Sequence, residues 1–397
     1  MIKLEDVCEF IVDCPHSTAK DEGKGFPLIR TPNIGKGRLL LDGVHRVSEN
    51  VYSKRNSRAV PQTDDLIFAR EAPAGNVAII KNGERVCLGQ RTVLLRPNKN
   101  LVNPDFLVYF LLAPEQQYGL LGTANGATVA HVNIPTIRNL KIQLPSLDRQ
   151  NKIASIITAY DDLIENNQKQ IKLLEEAAQR LYKEWFVDLH FPGYETTPIL
   201  DGVPEGWSNC ILREVISFKP KVQLSKDRMK QFVPMQAIST NSMVLDTSQF
   251  TETTSNSGSK FQNGDTLLAR ITPCLENGKT AFVTGIESAE GAVGSTEFIV
   301  MRSKGINPYM VYLLARTDDF RQVAINSMTG SDGRQRAQVD KLETLPYLKP
   351  PQNVIEAFGH IVEPMFKQIA SNRTQILYLT EARDMLLPKL INGEIEV

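Results

Sequence analysis

Gly278-Lys279-Thr280 ends like a phosphate-cradling loop, but that loop needs a glycine five residues before Gly278, and Pro273 stands there. The five histidines, His16, His45, His131, His190 and His360, are scattered and show neither HExxH nor any other paired metal-ligand spacing. No GxGxxG turn follows a strand-like run, so no nucleotide or AdoMet-type pocket is evident. Serine and cysteine lack a nucleophile context. Asn103-Pro104-Asp105-Phe106 shares only its first two letters with the Asn-Pro-Pro-Tyr motif of amino-methyltransferases, and helix capping explains it better. The expectation is a chain with no catalytic residue, no metal and no cofactor.

What remains are basic and amide side chains in turn-rich segments. The first set is Arg30, Lys36, Arg38, Arg70 and Arg91, with Asn125 and Thr128 in a run of small residues and His131 just beyond; the second is Lys219, Lys221, Arg270, Lys279, Arg334 and Arg336. Arginine and asparagine can make paired contacts with guanine and adenine edges, while lysine and threonine suit phosphates. Any one of them alone reads more readily as a solvated surface charge, and it is as a set in matching halves that they carry weight. Lysine plus arginine and aspartate plus glutamate both number 45, so no global positive field announces a nucleic acid.

The elements that must carry these side chains are written twice. Asp65-Leu66-Ile67-Phe68-Ala69-Arg70 returns as Asp265-Thr266-Leu267-Leu268-Ala269-Arg270, and Asn103-Pro104 before an apolar run returns as Asn307-Pro308. Strands are expected over residues 65–70, 76–81 and 91–96, and again over 265–271, 281–284 and 297–302. Each Asn-Pro then opens a helix, with asparagine as cap and proline in the first turn. Residues 247–260, rich in Ser, Thr and Asn, are expected to form a long surface loop.

Two further segments carry an apolar seam. Ile153, Ile157, Tyr160, Ile164, Asn167, Ile171, Leu174, Ala178, Leu181 and Trp185 alternate spacings of 4 and 3, the pattern of a helix that packs on another helix. Shifted by 205 residues, the same positions hold Phe358, Val362, Met365, Ile369, Asn372, Ile376, Leu379, Arg383, Leu386 and Leu390, with Arg383 the one charge. One asparagine in each seam should fix register and partner choice. Pro364 is expected to break the second helix near Val362, and Pro388 to end or kink it. The fold expected is mixed, α+β: two tandem α/β domains, residues 1–145 and 191–350, each followed by a long helix, 146–190 and 351–397, the helices packed as an antiparallel coiled coil with internal pseudo-two-fold symmetry.

Five cysteines without a CxxC pair suit a reducing compartment. The opening Met1-Ile2-Lys3-Leu4-Glu5-Asp6 has acids where a signal peptide is apolar, and no apolar run reaches membrane-spanning length. The expectation is a cytoplasmic protein with no membrane partner.

Leu140-Lys141-Ile142-Gln143-Leu144-Pro145, Tyr160-Asp161-Asp162-Leu163-Ile164-Glu165-Asn166-Asn167, Leu181-Tyr182-Lys183-Glu184-Trp185-Phe186 and the ending Arg383-Asp384-Met385-Leu386-Leu387-Pro388-Lys389-Leu390-Ile391-Asn392-Gly393-Glu394-Ile395 resemble the specificity subunit of type I restriction–modification enzymes. The resemblance implies two target recognition domains reading a bipartite double-stranded DNA site, with the helices as spacer. It also implies two methyltransferase subunits that hold AdoMet, and restriction subunits that use ATP and Mg, so those cofactors belong to partners. From Tyr160 to Trp185 a helix rises roughly 40 Å, close to the roughly 34 Å of one DNA turn. The competing readings are a self-contained methyltransferase or nuclease, which would need a cofactor or metal motif, and a coiled-coil scaffold unrelated to DNA, which would not explain two repeated domains.

Prediction: the purified chain neither methylates nor cuts DNA. AdoMet binding by the isolated chain in calorimetry would count directly against this.

Overall fold

Both Asp-x4-Arg segments form inner strands with antiparallel neighbours on both sides, Leu66–Ala69 and Thr266–Ala269, with every residue of each strand buried. The computed structural model describes residues 1–81, 83–122, 131–331 and 333–397. They divide into two units: residues 1–164 with 378–397, and residues 165–377.

In the first unit the strand order is Cys8–Asp13, Thr92–Pro97, Leu66–Ala69, Val77–Ile79, Gly37–Arg38, antiparallel except for the last pair. Alternate residues serve two cores. Leu66, Phe68, Val77, Ile79, Val93 and Leu95 face the helix Pro104–Leu112, whereas Ile67, Ala69, Ala78 and Leu94 face a three-stranded sheet through Ile29 and Leu88. A sheet covered on both faces reads as an unbroken apolar run, which is why these strands lack polar alternation. The helix starts as expected, with Asn103 accepting from the Phe106 N–H at 2.9 Å and Pro104 in the first turn.

The second unit repeats the plan. Its sheet runs Ile216–Phe218, Phe298–Ser303, Thr266–Ala269, Thr280–Phe282, and the helix Pro308–Ala315 follows an Asn307 side chain that accepts from the Tyr309 N–H at 2.9 Å. A second sheet has the order Thr251–Thr253, Lys230–Val233, Ala292–Gly294, Ser259–Phe261. The expected loop over 247–260 is therefore corrected: it contains an edge strand and leads into another. Thr251–Thr253 is polar because it lies at a sheet edge with its side chains largely exposed, and β-branched threonine suits that place.

One buried ion pair sits at the same place in each unit. Arg96 donates to Asp65 through Nε at 2.8 Å and Nη2 at 2.7 Å, and the Gln62 N–H adds a third bond at 2.9 Å. Arg302 holds Asp265 through Nε at 2.6 Å and Nη2 at 2.7 Å, with the Gln262 N–H at 2.9 Å.

Two long helices, Leu147–Phe186 and Gln352–Asn392, each contribute to both units. Of the expected seam, Ile157, Ile164, Asn167, Ile171, Trp185, Ile369, Asn372 and Ile376 are buried, and Tyr160, Leu174, Leu181, Leu379 and Leu386 are half-buried. Within the second unit Asn167 donates to Gln375 at 3.3 Å and Asn372 donates to Gln170 at 3.1 Å, so the segments meet running in opposite directions. Tyr182, Trp185 and Phe186 close on Phe358 with ring centroids 4.8–6.2 Å apart. Within the first unit the odd charge of the seam, Arg383, donates through Nη1 to the buried Asp161 at 2.6 Å.

The expected break at Pro364 does not occur, and the helix runs through it and on past Pro388 to Asn392. An interior proline costs about 3 kcal/mol. Burial of Phe358, Val362, Phe366 and Ile369 on one face outweighs that cost. Among the described residues no helix is long and apolar enough to cross a membrane.

Prediction: Arg96→Met leaves the Asp65 carboxylate, 2% exposed, without its partner. Stability should fall by about 3–5 kcal/mol, seen as a lower urea midpoint. A change within about 0.5 kcal/mol, the range of an ordinary surface substitution, would show that the clamp is dispensable.

Candidate nucleic-acid interface

Arg70 ends the inner strand of the first unit and is an anchor, with 12% of its side chain exposed. Its Nε donates to the Val132 carbonyl at 3.0 Å, Nη1 to Asp13 at 3.2 Å, and Nη2 lies 2.9 Å from Nε2 of His131. The other imidazole nitrogen, Nδ1, is 3.0 Å from Glu71, whose second oxygen accepts from Arg91 at 2.6 Å. Arg91 has a left-handed φ of 66° and 58% of its side chain exposed. The cluster therefore has a fixed inner arginine and an outer one that Glu71 aims.

Arg30 comes near this end of the sheet: a Cβ added to Gly89, two residues before Arg91, would lie 2.9 Å from Arg30 Cγ. Lys36 and Arg38 do not join it. Arg38 donates to Asp162 of the first long helix at 2.9 Å, and Lys36 lines a cleft with Tyr109, Arg383 and Leu387. Asn125 and Thr128 lie outside the described residues.

In the second unit Arg270 takes the place of Arg70, and the Ala337 N–H donates to its carbonyl at 2.8 Å as the Val132 N–H donates to that of Arg70 at 2.9 Å. Arg336 forks onto Glu297 through Nε at 2.9 Å and Nη2 at 2.8 Å, and these bonds hold the Glu297 carboxyl below the usual carboxylate range. Arg334, Lys219 and Lys221 are exposed. Lys279 is turned inward, its Nζ donating to the Met235 carbonyl at 3.0 Å.

Reading the sequence for positive charge missed the carboxylates that orient it, Asp13, Glu71 and Glu297. Glu71 follows Arg70 directly and was visible. Glu297 could have been found as the residue just before the strand Phe298–Ser303, where Arg91 precedes Thr92–Pro97 in the first unit.

Residues 1–176 match the family model described as the type I restriction modification DNA specificity domain. The MjaIX specificity subunit of Methanocaldococcus jannaschii is 27% identical, over 100% of this chain and 93% of its own length. The HindI specificity subunit of Haemophilus influenzae is 22% identical, over 83% of this chain and 86% of its own length. This chain is a homologue of type I restriction–modification specificity subunits. The fold of this specificity-subunit homologue is like that of the S subunit from M. genitalium, with a TM-score of 0.53 at 15% identity and 92% of each chain covered. Both relatives are named as specificity subunits. Neither the self-contained methyltransferase or nuclease nor the unrelated scaffold has support among them.

Prediction: because Arg70 is anchored and Arg91 is largely exposed, Arg70→Ala should lower the urea midpoint by the equivalent of about 1.5–3 kcal/mol. Arg91→Ala should stay within about 0.5 kcal/mol. Equal effects would mean that the two arginines do not divide into anchor and outer group.

Proposed function

We propose that this homologue is the DNA-reading subunit of a type I restriction–modification system. The observation that carries the proposal is the match of residues 1–176 to a DNA specificity domain, reinforced by a relative named as a specificity subunit along essentially the whole chain. On this reading residues 1–145 and 191–350 are the two target recognition domains, each reading one short element of a bipartite double-stranded site. Residues 146–190 and 351–397 are the spacer helices, an antiparallel coiled coil about which the molecule has pseudo-two-fold symmetry. The recurrence of the sheet, of the Asn-Pro helix and of the buried ion pair in both units supports this layout.

Arg91, with Arg30 and His131 beside it, faces the DNA of one element, joined by Asn125 and Thr128. Arg334, Arg336, Lys219 and Lys221 face the other, and Arg70, Arg270 and Lys279 hold the loops that present them. Lys36 and Arg38 serve the junction with the helix more than the bases. Two methyltransferase subunits and the restriction subunits bind this homologue in the cytoplasm and bring AdoMet, ATP and Mg. They also surround the duplex and supply part of the phosphate attraction that a chain of zero net charge lacks.

Prediction: mapping methylated adenines in a host with and without this chain should give one bipartite motif that depends on it. Exchanging residues 1–145 should change one half of the motif only. Inserting one heptad into both long helices should lengthen the unread spacer and leave the end bases unaltered. A motif whose bases change while its spacer does not would overturn the spacer role, and a methylation pattern indifferent to the chain would overturn the DNA-reading function.

A further inference from the structure

The seam holds two kinds of polar contact, and they differ in what they can choose between. Asn167 and Asn372 are 205 residues apart, as are Gln170 and Gln375, so both helices carry the same asparagine and the same glutamine. Asn167 donates to Gln375, and Asn372 donates to Gln170. A second copy of either helix would present the same partners, so this layer fixes register without choosing a partner.

Asp161 and Arg383 behave otherwise. Their counterparts at the same shift are Phe366 and Ala178, so this ion pair has no mirror image in the repeat. Asp161, its side chain 3% exposed, uses one oxygen for the Tyr109 hydroxyl and the other for Arg383 Nη1. Nε and Nη2 of Arg383 are taken by Asp384 at 2.9 and 2.8 Å, which leaves Nη1 for Asp161. Gly37 lies against the same carboxylate, where a Cβ would come within 3.0 Å of Asp161 and of the Tyr109 ring, and the Arg38 guanidinium, bonded to Asp162, acts on Asp161 through space.

On the reading that the two long helices pair along their seams, we propose that Asp161 and Arg383 select the partner, joining the first helix to the second and rejecting a second copy of either. In a pair of two first helices Ala178 would stand where Arg383 stands, leaving a buried carboxylate oxygen without its donor. In a pair of two second helices Phe366 would stand where Asp161 stands, leaving the Arg383 Nη1 without its acceptor. Breaking one buried pair in this way disfavours each like-with-like assembly by about a hundredfold or more. The selected partner of the N-terminal half is the C-terminal half of a chain like this one.

The test uses the full chain with a protease site placed in the exposed stretch 193–196. Two preparations, tagged differently at both ends, are folded, cut and mixed at the urea concentration where N-terminal pieces exchange C-terminal partners. Capture on one tag followed by mass spectrometry then counts like and unlike pairs. Like pairs are expected at about one hundredth of unlike pairs. Asp161→Asn should raise only pairs of N-terminal pieces, Arg383→Gln only pairs of C-terminal pieces, and Arg383→Lys neither. Statistical mixing in the unaltered chain, or neutral variants that leave like pairs unchanged or raise both kinds equally, would overturn the proposal. Pieces that separate on size exclusion as soon as they are cut, without urea, would overturn the helix-pairing reading and this proposal with it.

Discussion

The two buried carboxylates Asp65 and Asp265 are the constraint on which each sheet depends. A carboxylate that deep is tolerable only with charge-assisted donors in a fixed fork, and an arginine on the neighbouring strand supplies them. Arg96 also lies over the Phe10 ring at 4.6 Å, so a third strand is tied to the same point. Because both faces of these strands are apolar, burial alone distinguishes poorly between registers that differ by one residue. The ion pair makes the distinction, and the helices that begin at Pro104 and Pro308 then rest on a defined surface.

Much of this was legible in the sequence, and the reasons are local. Strands were placed to within about two residues because turn residues punctuate short apolar runs, and the Asn-Pro helices because cap and first turn are a signal four residues long. The long helices were legible because a seam of alternating fours and threes persists over many turns. The misplaced elements have equally physical causes. Pro364 carries an intrinsic penalty, but one interior proline is a small term beside a helix that buries Val354, Ile355, Phe358, Val362, Phe366, Ile369 and Ile376. The strand Thr251–Thr253 escaped because an exposed edge strand needs no apolar pattern.

The candidate interface was legible only as a list of charges. Arg70 stands out in the sequence only as a basic residue in a turn-rich segment, and its partners Asp13 and Val132 lie 57 and 62 residues away in sequence. No spacing rule connects such groups. The same holds for Arg383: in the sequence it is a flaw in an apolar seam, and in the fold it is one half of a pair whose other half, Asp161, lies 222 residues earlier. A charge that breaks a pattern is informative chiefly about a missing partner.

The aromatic packing around the first long helix has a further consequence. Both tryptophans of the chain belong to the second unit, Trp185 against Phe358 and Trp207 against Phe186 and Phe191, each 7% exposed. The first unit has no tryptophan, and its tyrosines include the buried Tyr109. Indole emission therefore watches one half of the molecule while far-ultraviolet ellipticity watches both. Whether the halves melt as one cooperative body or in succession can be read from the natural chromophores, by asking if the two signals change together.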